Sequence, residues 1–207
     1  MLIRNKTPPE YIYHGLYLYF SGLSLRRRIS QQLSCSIKRN HVSIWNWIQK
    51  YHPQKTSSKS KRISEFIIDE TLIKVGSELV WLWVAIIEPA ENKQILALSI
   101  SKERNMFVVA IERFISKLVI TCGSHPVSTD GGTWYPQACR FLKLQHHLHN
   151  SFKKSLVERT MQYIKDRTKE SFDDYFPCRL DKCKLKHVKN WLNLFIHYHN
   201  KELGIVK

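Results

Sequence analysis

The periodicity of the apolar residues changes at Ile63, and the pattern that follows leaves few possible folds. Two runs rich in apolar and β-branched residues, 63–75 and 79–87, flank a Gly-Ser-Glu turn, which predicts a β-hairpin. A third run, residues 94–101, predicts a further strand. The longest uninterrupted apolar run has nine residues, 79–87, whereas a transmembrane helix needs roughly 20. We therefore expect no membrane-spanning segment.

Beyond the third predicted strand, helical and strand-like segments alternate. Residues 105–120 have helical apolar spacing, and a short strand at 127–129 ends at Asp130. The other predicted elements are a short helix at 133–141, a strand at 144–149, a long helix at 151–170 and a final helix at 185–200. Three meandering strands followed by such alternation is the order of a ribonuclease-H-like core. We predict an α/β fold over residues 63–207, with a mixed sheet flanked by helices.

The first 53 residues predict a small all-α domain. Residues 11–20 are strongly apolar and predict either a short helix or an extended aromatic segment. Ser24 and Ser43 are candidate N-caps of two further helices, and the last helix carries one apolar stripe and ends before Pro53. Three short helices with a tight turn before the last are typical of a helix-turn-helix module. Residues 54–62 are basic and Ser-rich, and predict a linker to the α/β domain.

The net charge of +16 is concentrated in the N-terminal part of the chain. Residues 1–63 contain 12 basic residues and 1 acidic residue, whereas the remainder contains 21 basic and 16 acidic residues. This asymmetry indicates a module that binds a polyanion, although a solvated basic tail would have the same composition. The candidate DNA contacts combine positive or hydrogen-bonding side chains with a predicted helix surface, and they are Arg26, Arg27, Arg28, Lys38, Arg39, Asn40, Ser43, Asn46 and Lys50.

The cysteines and the N-terminus bear on the compartment and on metal content. The five cysteines are odd in number and scattered, which does not predict a disulfide framework. The first ten residues are polar and lack the apolar region of a secretory signal, so we expect a cytoplasmic protein. One spacing, Cys178, Cys183 and His187 with His197 or His199, resembles a zinc site. Its loose spacing and lysine-rich surroundings favour a phosphate-contacting loop, and we expect no structural zinc.

Three carboxylates lie where metal-ion chemistry would need them. Asp69 is inside an apolar strand, which is costly unless the charge is paired or holds a cation. Asp130 ends a strand, and sites in open α/β sheets form outside the carboxyl ends of strands. Glu158 lies on the long helix, which would pack across both strands. Carboxylates bind Mg²⁺, and two such ions roughly 3.5–4 Å apart can drive phosphodiester transfer.

Each of these acids alone also has an ordinary explanation. Asp69 could face solvent on its strand, Asp130 could belong to an Asp-Gly turn, and Glu158 could be a surface residue of its helix. Only the set of three indicates a site. Glu70, which follows Asp69, should lie on the opposite face of the strand, so we expect it to be a poor ligand.

The segments around the three acids resemble the catalytic blocks of DDE transposases from bacterial and archaeal insertion sequences. The matching segments are Ile68-Asp69-Glu70-Thr71, Val127-Ser128-Thr129-Asp130-Gly131-Gly132 with Trp134-Tyr135 after it, and Leu156-Val157-Glu158-Arg159. The resemblance covers about residues 15–200. It implies that Asp69, Asp130 and Glu158 are the catalytic residues and bind two Mg²⁺ or Mn²⁺ ions. It also implies DNA strand cleavage and strand transfer during transposition as the activity.

The resemblance further implies the partners of the protein. These are the inverted repeats of the element, the target DNA and further copies of the chain, since two DNA ends must be held together. No small-molecule substrate is implied. Lys154 and Lys165 lie four residues before and seven residues after Glu158, on one face of the helix. They are expected to contact DNA phosphates, the alternative being a surface ion pair, and Arg159 and Arg167 are further candidates.

Other interpretations of the sequence remain open. The 27 residues between Asp130 and Glu158 are fewer than insertion-sequence members commonly have, and Asp166 is the next acid. Asp166 would face away from the strands, so Glu158 is the preferred third acid. A non-catalytic helix-turn-helix protein, or a decayed transposase that binds ends without cutting, would also fit the basic N-terminal part. A nuclease built on the same core would cleave DNA without joining it.

Overall fold

The computed structural model describes residues 7–23, 29, 33, 37–51, 63–75, 78–88, 94–101, 107–169 and 185–202. The described strands are β1 (Glu65–Val75), β2 (Glu78–Glu88), β3 (Ile95–Ser101), β4 (Val127–Thr129) and β5 (His146–Leu148). The described helices are α1 (Pro9–Phe20), α2 (His41–Lys50), α3 (Phe107–Cys122), α4 (Trp134–Phe141), α5 (Ser151–Lys169) and α6 (Leu185–Glu202). Among these helices, none combines the length and the apolar composition that crossing a membrane requires.

The strands form one mixed sheet with the order β3-β2-β1-β4-β5. The β1–β2 and β2–β3 pairs are antiparallel, whereas β4 runs parallel to β1 and β5 parallel to β4. Short connections suffice for the antiparallel half, and α3 and α4 provide the longer crossovers that parallel pairing requires. This is the ribonuclease-H-like arrangement, so the predicted fold class is confirmed. Every element predicted after residue 63 is present, with ends within two residues of those predicted.

Each face of the sheet carries its own hydrophobic core, because side chains alternate along a strand. In β1, Ile68 packs on the face covered by α3 and α4, whereas Ile67 packs on the face covered by α5, α6 and the N-terminal helices. β2 is buried on both faces over most of its length, which explains its long apolar run. Asp69 lies on the same face of β1 as Ile67, and Glu70 lies on the same face as Ile68. The two acids therefore leave β1 on opposite faces.

The N-terminal helices share the core of the α5–α6 face. Leu16 of α1 and Ile44 of α2 are fully buried in one cluster with Trp191 of α6. The Trp191 indole N–H donates to the hydroxyl of Tyr19 at 2.9 Å. Close packing of α1 on α2 depends on Gly15, where a Cβ atom would lie 3.0 Å from the Trp47 ring. The helices predicted as a separate domain therefore pack directly on the α/β core, and the predicted linker lies outside the described residues.

The ends of the N-terminal helices differ in detail from the prediction. Residues 9–20 form a helix and not an extended segment. The predicted N-cap Ser43 is wrong: α2 begins at His41, and Asn40 is its N-cap, whose side-chain oxygen accepts from the Ser43 backbone N–H at 3.0 Å. The second predicted helix, with its N-cap Ser24, falls largely outside the described residues. Of that segment, Ile29 and Leu33 are described and are buried in the shared core.

An ion-pair cluster fixes the first turn of α5 to the sheet. The Lys153 ammonium donates to the carboxylate of Glu65, the first residue of β1. It also pairs with the carboxylate of Glu88, the last residue of β2, at 3.0 Å. The other carboxylate oxygen of Glu65 accepts from His147 of β5 at 2.8 Å. Burial alone would raise the pKa of Glu65, but the hydrogen bonds from Lys153 and His147 outweigh burial and lower it. Lys153 thus joins α5 to two strands.

We predict that Lys153→Met destabilises the protein by about 3 kcal/mol, because it leaves the buried Glu65 charge without its main partner. Urea unfolding followed by tryptophan fluorescence would give the free energy of unfolding. Lys154→Met, at the exposed neighbouring position, is the matched control and should change that free energy by less than about 0.5 kcal/mol. Equal effects of the two substitutions would contradict a specific role of the cluster.

Candidate active site

Three carboxylates meet where β4 ends beside the middle of β1. The two strands run parallel, and Asp69 and Asp130 each come two residues after the paired residues Ile67 and Ser128. One carboxylate oxygen each of Asp69, Glu70 and Asp130 lies within 4.8 Å of the others. Asp130 stands on a tight turn after β4, where its side chain accepts from the Gly132 N–H at 3.1 Å. Gly131 permits this turn, since its φ of 96° lies in the left-handed region.

Glu70 is a member of this group that sequence reasoning missed. Glu70 lies on the opposite face of β1 from Asp69, as expected. It accepts a hydrogen bond from the hydroxyl of Tyr135 on α4, which covers that face. The expectation that Glu70 would be a poor ligand did not include its distance: a carboxylate oxygen of Glu70 lies within 4.8 Å of those of Asp69 and Asp130. Asp130 lies just beyond the end of β4, and one of its carboxylate oxygens is within 4.8 Å of those of both acids of β1. The sequence signal was present in the adjacent Asp69-Glu70 pair.

The group concentrates negative charge, which the nearby Lys154 offsets only in part. Burial raises the pKa of Asp69 to about 6; the charges of Asp130 and Glu158 add to the rise, while the Glu70 backbone N–H and Lys154 oppose it. Burial also raises the pKa of Glu70 to about 7, helped by the charges of Asp130 and Asp69 and opposed by the Tyr135 hydrogen bond. Only oxygen donors are present in the group. Such a donor set fits a hard divalent cation such as Mg²⁺ or Mn²⁺.

Glu158 is near this group but lies outside it. It is exposed on α5, and its charge raises the pKa of Asp69. The charge of Lys154 on the same helix lowers that pKa. Among the described residues, the carboxylates within 4.8 Å of one another are those of Asp69, Glu70 and Asp130, without Glu158. Leu156 and Val157 are buried against the sheet and set which side of α5 faces outward. The structure therefore brings Glu158 within electrostatic range of Asp69.

The other basic residues predicted on α5 have different surroundings. Arg159 is exposed, with its Nε donating to the Ser155 carbonyl at 3.1 Å, and Lys165 is half-buried. Arg167 donates to the carbonyls of Tyr19 and Phe20 at 3.1 and 3.0 Å, where α1 ends. The Tyr19 carbonyl also accepts from the Gly22 backbone N–H at 3.0 Å. The guanidinium adds donors at the C-terminal end of α1, where positive charge is favourable. Arg167 thus has a structural role that its sequence context did not reveal.

The predicted DNA contacts of the N-terminal part fall into three groups. Arg26, Arg27 and Arg28 lie outside the described residues. Arg39 donates to the Thr7 hydroxyl at 2.8 Å, and the Asn40 side chain is occupied with Ser43 in the cap of α2. The remaining predicted contacts are exposed on or beside α2 and are available to a ligand: Lys38, Asn46 and Lys50.

The histidines of the predicted zinc spacing are far apart on α6. Cys178 and Cys183 lie outside the described residues. The His187 ring packs against Trp45 at 6.0 Å, near the start of α6. His197 and His199 are ten or more residues further along the same helix. At 1.5 Å per residue this is about 15 Å, so one ion cannot take His187 together with either of them.

We predict that Mg²⁺ stabilises the protein more at about pH 8 than at about pH 5, because protonated carboxyl groups do not ligate metal. The raised pKa values of Asp69, about 6, and Glu70, about 7, place this change between those limits. Without metal, the two groups destabilise the fold above about pH 7, and this effect is lost as the pH falls. Calorimetric melting temperatures with and without Mg²⁺ test this. Asp69→Asn should lose the gain at both pH values, and a pH-independent gain in the unsubstituted protein would contradict the assignment.

Comparison with known proteins adds the following. An uncharacterized protein of Methanocaldococcus jannaschii is 32% identical over 198 residues, which are 95% of this chain and 88% of that protein. Among solved structures, the catalytic core domain of BIV integrase is 16% identical with a TM-score of 0.46, over 64% of this chain and 82% of that one. The HTLV-2 integrase catalytic core domain in complex with magnesium is 20% identical with a TM-score of 0.43, over 62% and 82%.

Family membership follows from the match of residues 63–175 to the DDE domain of the IS240 type. The matched segment runs from the start of β1 through α5 and contains Asp69, Glu70, Asp130 and Glu158. It is more than half of the chain. The chain belongs to the IS240 family of DDE transposases.

Proposed function

We propose that this protein is a transposase that cuts the ends of an insertion sequence and joins them to target DNA in a metal-dependent reaction. The observation that carries the proposal is the meeting of Asp69 and Asp130 where β4 ends beside the middle of β1, with Glu158 within electrostatic range. Family membership supports it, because the DDE domain spans all three acids.

In this proposal Asp69, Asp130 and Glu158 are the catalytic residues and hold two Mg²⁺ or Mn²⁺ ions. When bound, such ions activate the attacking oxygen and stabilise the leaving oxygen of a phosphodiester. The charges of Asp130 and Glu158 both raise the pKa of Asp69, which places Asp69 within electrostatic range of the other two acids. Lys154 reduces the negative charge that an incoming phosphate would meet.

The reaction has two steps of the same kind. Water attacks the phosphodiester at each end of the element, which breaks one strand and leaves a 3′-hydroxyl. That hydroxyl then attacks a target phosphate in line; a new phosphodiester forms, its proton is lost, and the 3′-oxygen of the target strand leaves. We propose no covalent protein–DNA intermediate, because the attacking oxygen comes from water or DNA in both steps.

Recognition of the DNA would fall to the basic N-terminal part. We propose a helix-turn-helix domain over residues 1–53, a basic linker over 54–62 and the catalytic domain over 63–207. Among the described residues, the exposed candidates for contacts with the inverted repeats are Lys38, Asn46 and Lys50. Lys154, Arg159 and Lys165 on α5 are the candidates for phosphate contacts near the scissile bond. Because two ends must be joined in one event, we propose a homo-oligomer acting on nucleoid DNA in the cytoplasm.

We predict that Asp130→Ala and Glu158→Gln each abolish strand transfer, because each removes a metal-binding carboxylate. The assay would use labelled duplex carrying the inverted repeats that flank the gene, plasmid target and Mg²⁺ or Mn²⁺. The matched control is Asp166→Asn, an exposed acid two turns further along α5 that bonds to Gln162. This variant should retain activity.

The same assay separates the alternatives. Binding of the end duplex without cleavage or joining would favour a non-catalytic DNA-binding protein or a decayed transposase. Cleavage without joining would favour a nuclease. An active Glu158→Gln variant beside an inactive Asp166→Asn variant would overturn the choice of Glu158.

We predict that Lys50→Ala weakens binding of the end duplex and lowers the salt slope of log Kd by about 1, because one phosphate contact and its counterion release are lost. The matched control is Lys117→Ala, an exposed lysine on α3 at the opposite face of the sheet. Fluorescence anisotropy at several salt concentrations measures both quantities. Equal slopes for the two variants would contradict a DNA contact at α2.

A further inference from the structure

We infer that Glu70 is an additional metal-binding carboxylate of this site and that Tyr135 is the residue that positions it. The inference rests on the proposed function, since it assigns Glu70 to the ion that Asp69 and Asp130 would share. It adds a ligand on the α4 side of the sheet, whereas Glu158 approaches from α5 on the other side.

Distance supports the assignment. One carboxylate oxygen of Glu70 is within 4.8 Å of those of both Asp69 and Asp130. Oxygens bound to one octahedral Mg²⁺ at about 2.1 Å are about 3.0 Å apart when adjacent and about 4.2 Å apart when opposite. The carboxylates would therefore have to approach one another by up to about 2 Å, through rotation of their side-chain torsions, to bind one ion together.

Tyr135 holds Glu70 in this place against electrostatic repulsion. Its side chain is fully buried between α4 and the sheet, and its hydroxyl donates to Oε2 of Glu70. Its backbone N–H donates to the Gly132 carbonyl at 3.1 Å, which ties it to the turn that carries Asp130. Without this bond, the charges of Asp69 and Asp130 would favour a rotamer that takes the Glu70 carboxylate away.

A purely structural role does not explain the carboxylate at position 70. Glutamine would accept the same hydrogen bond from Tyr135 without adding a third negative charge to the group. Three like charges at this separation oppose folding unless protonation or a cation neutralises them. A bound cation would therefore favour the charged form of Glu70.

The test is calorimetric titration of the full chain with Mn²⁺ alone, without DNA. Glu70→Gln and Tyr135→Phe should each weaken Mn²⁺ binding by about 10- to 100-fold, as loss of a ligand or of its supporting hydrogen bond does in other metal sites. The control for Tyr135→Phe is Tyr19→Phe, which also removes a buried, hydrogen-bonded hydroxyl but lies on α1. It should leave Mn²⁺ affinity unchanged. Asp130→Asn serves as the reference for loss of an expected ligand.

The outcomes separate this inference from the proposed function. Unchanged Mn²⁺ affinity in Glu70→Gln, with a clear loss in Asp130→Asn, would overturn the role of Glu70 alone. A lowered melting temperature in Tyr135→Phe with unchanged Mn²⁺ affinity would overturn its positioning role. Absence of Mn²⁺ binding by the unsubstituted protein, or full binding by Asp130→Asn, would count against the proposed metal-dependent function itself.

Discussion

The parallel contact between β1 and β4 is the interaction on which the site depends. It is short, with Phe66 paired to Val127 and Ile67 to Ser128, and the Phe66 N–H donates to the Pro126 carbonyl at 2.9 Å. Asp69 and Asp130, which are about sixty residues apart in the chain, meet because this contact places the end of β4 beside the middle of β1. Both strands are buried here on either face of the sheet, so their register is fixed by two cores at once.

The sequence predicted the order of the elements because the apolar pattern of each strand and helix is local. The pairing of Asp69 with Asp130 also followed, once the element order indicated the sheet topology. The inclusion of Glu70 in the group did not follow. Alternation assigns Glu70 to one face of β1, but it does not say where the turn after β4 places Asp130. The N-cap of α2 was misplaced for a related reason: Asn40 and Ser43 are both good capping residues, and the backbone conformation decides between them.

Packing partners were the other feature that the pattern could not supply. The apolar stripe of α2 showed that Ile44 and Ile48 would be buried, but not that α6 would contribute to the same core. Polar residues were affected in the same way. Arg39 and Arg167 add to the basic character that suggested DNA binding, yet both side chains hold parts of the fold together. Net charge therefore overstates the part of this surface that is free to meet a polyanion.

The helix that carries Glu158 is held at both of its ends. In its first turn, Lys153 binds the carboxylates of Glu65 on β1 and Glu88 on β2. Near its other end, Arg167 donates to two carbonyl groups at the end of α1. The N-terminal helices also share the aromatic core of α6 through Tyr19 and Trp191. In evolution, the N-terminal helices of such a chain could not be exchanged independently of the α/β core. A replacement would have to supply the carbonyl groups for Arg167 and an apolar face for α6.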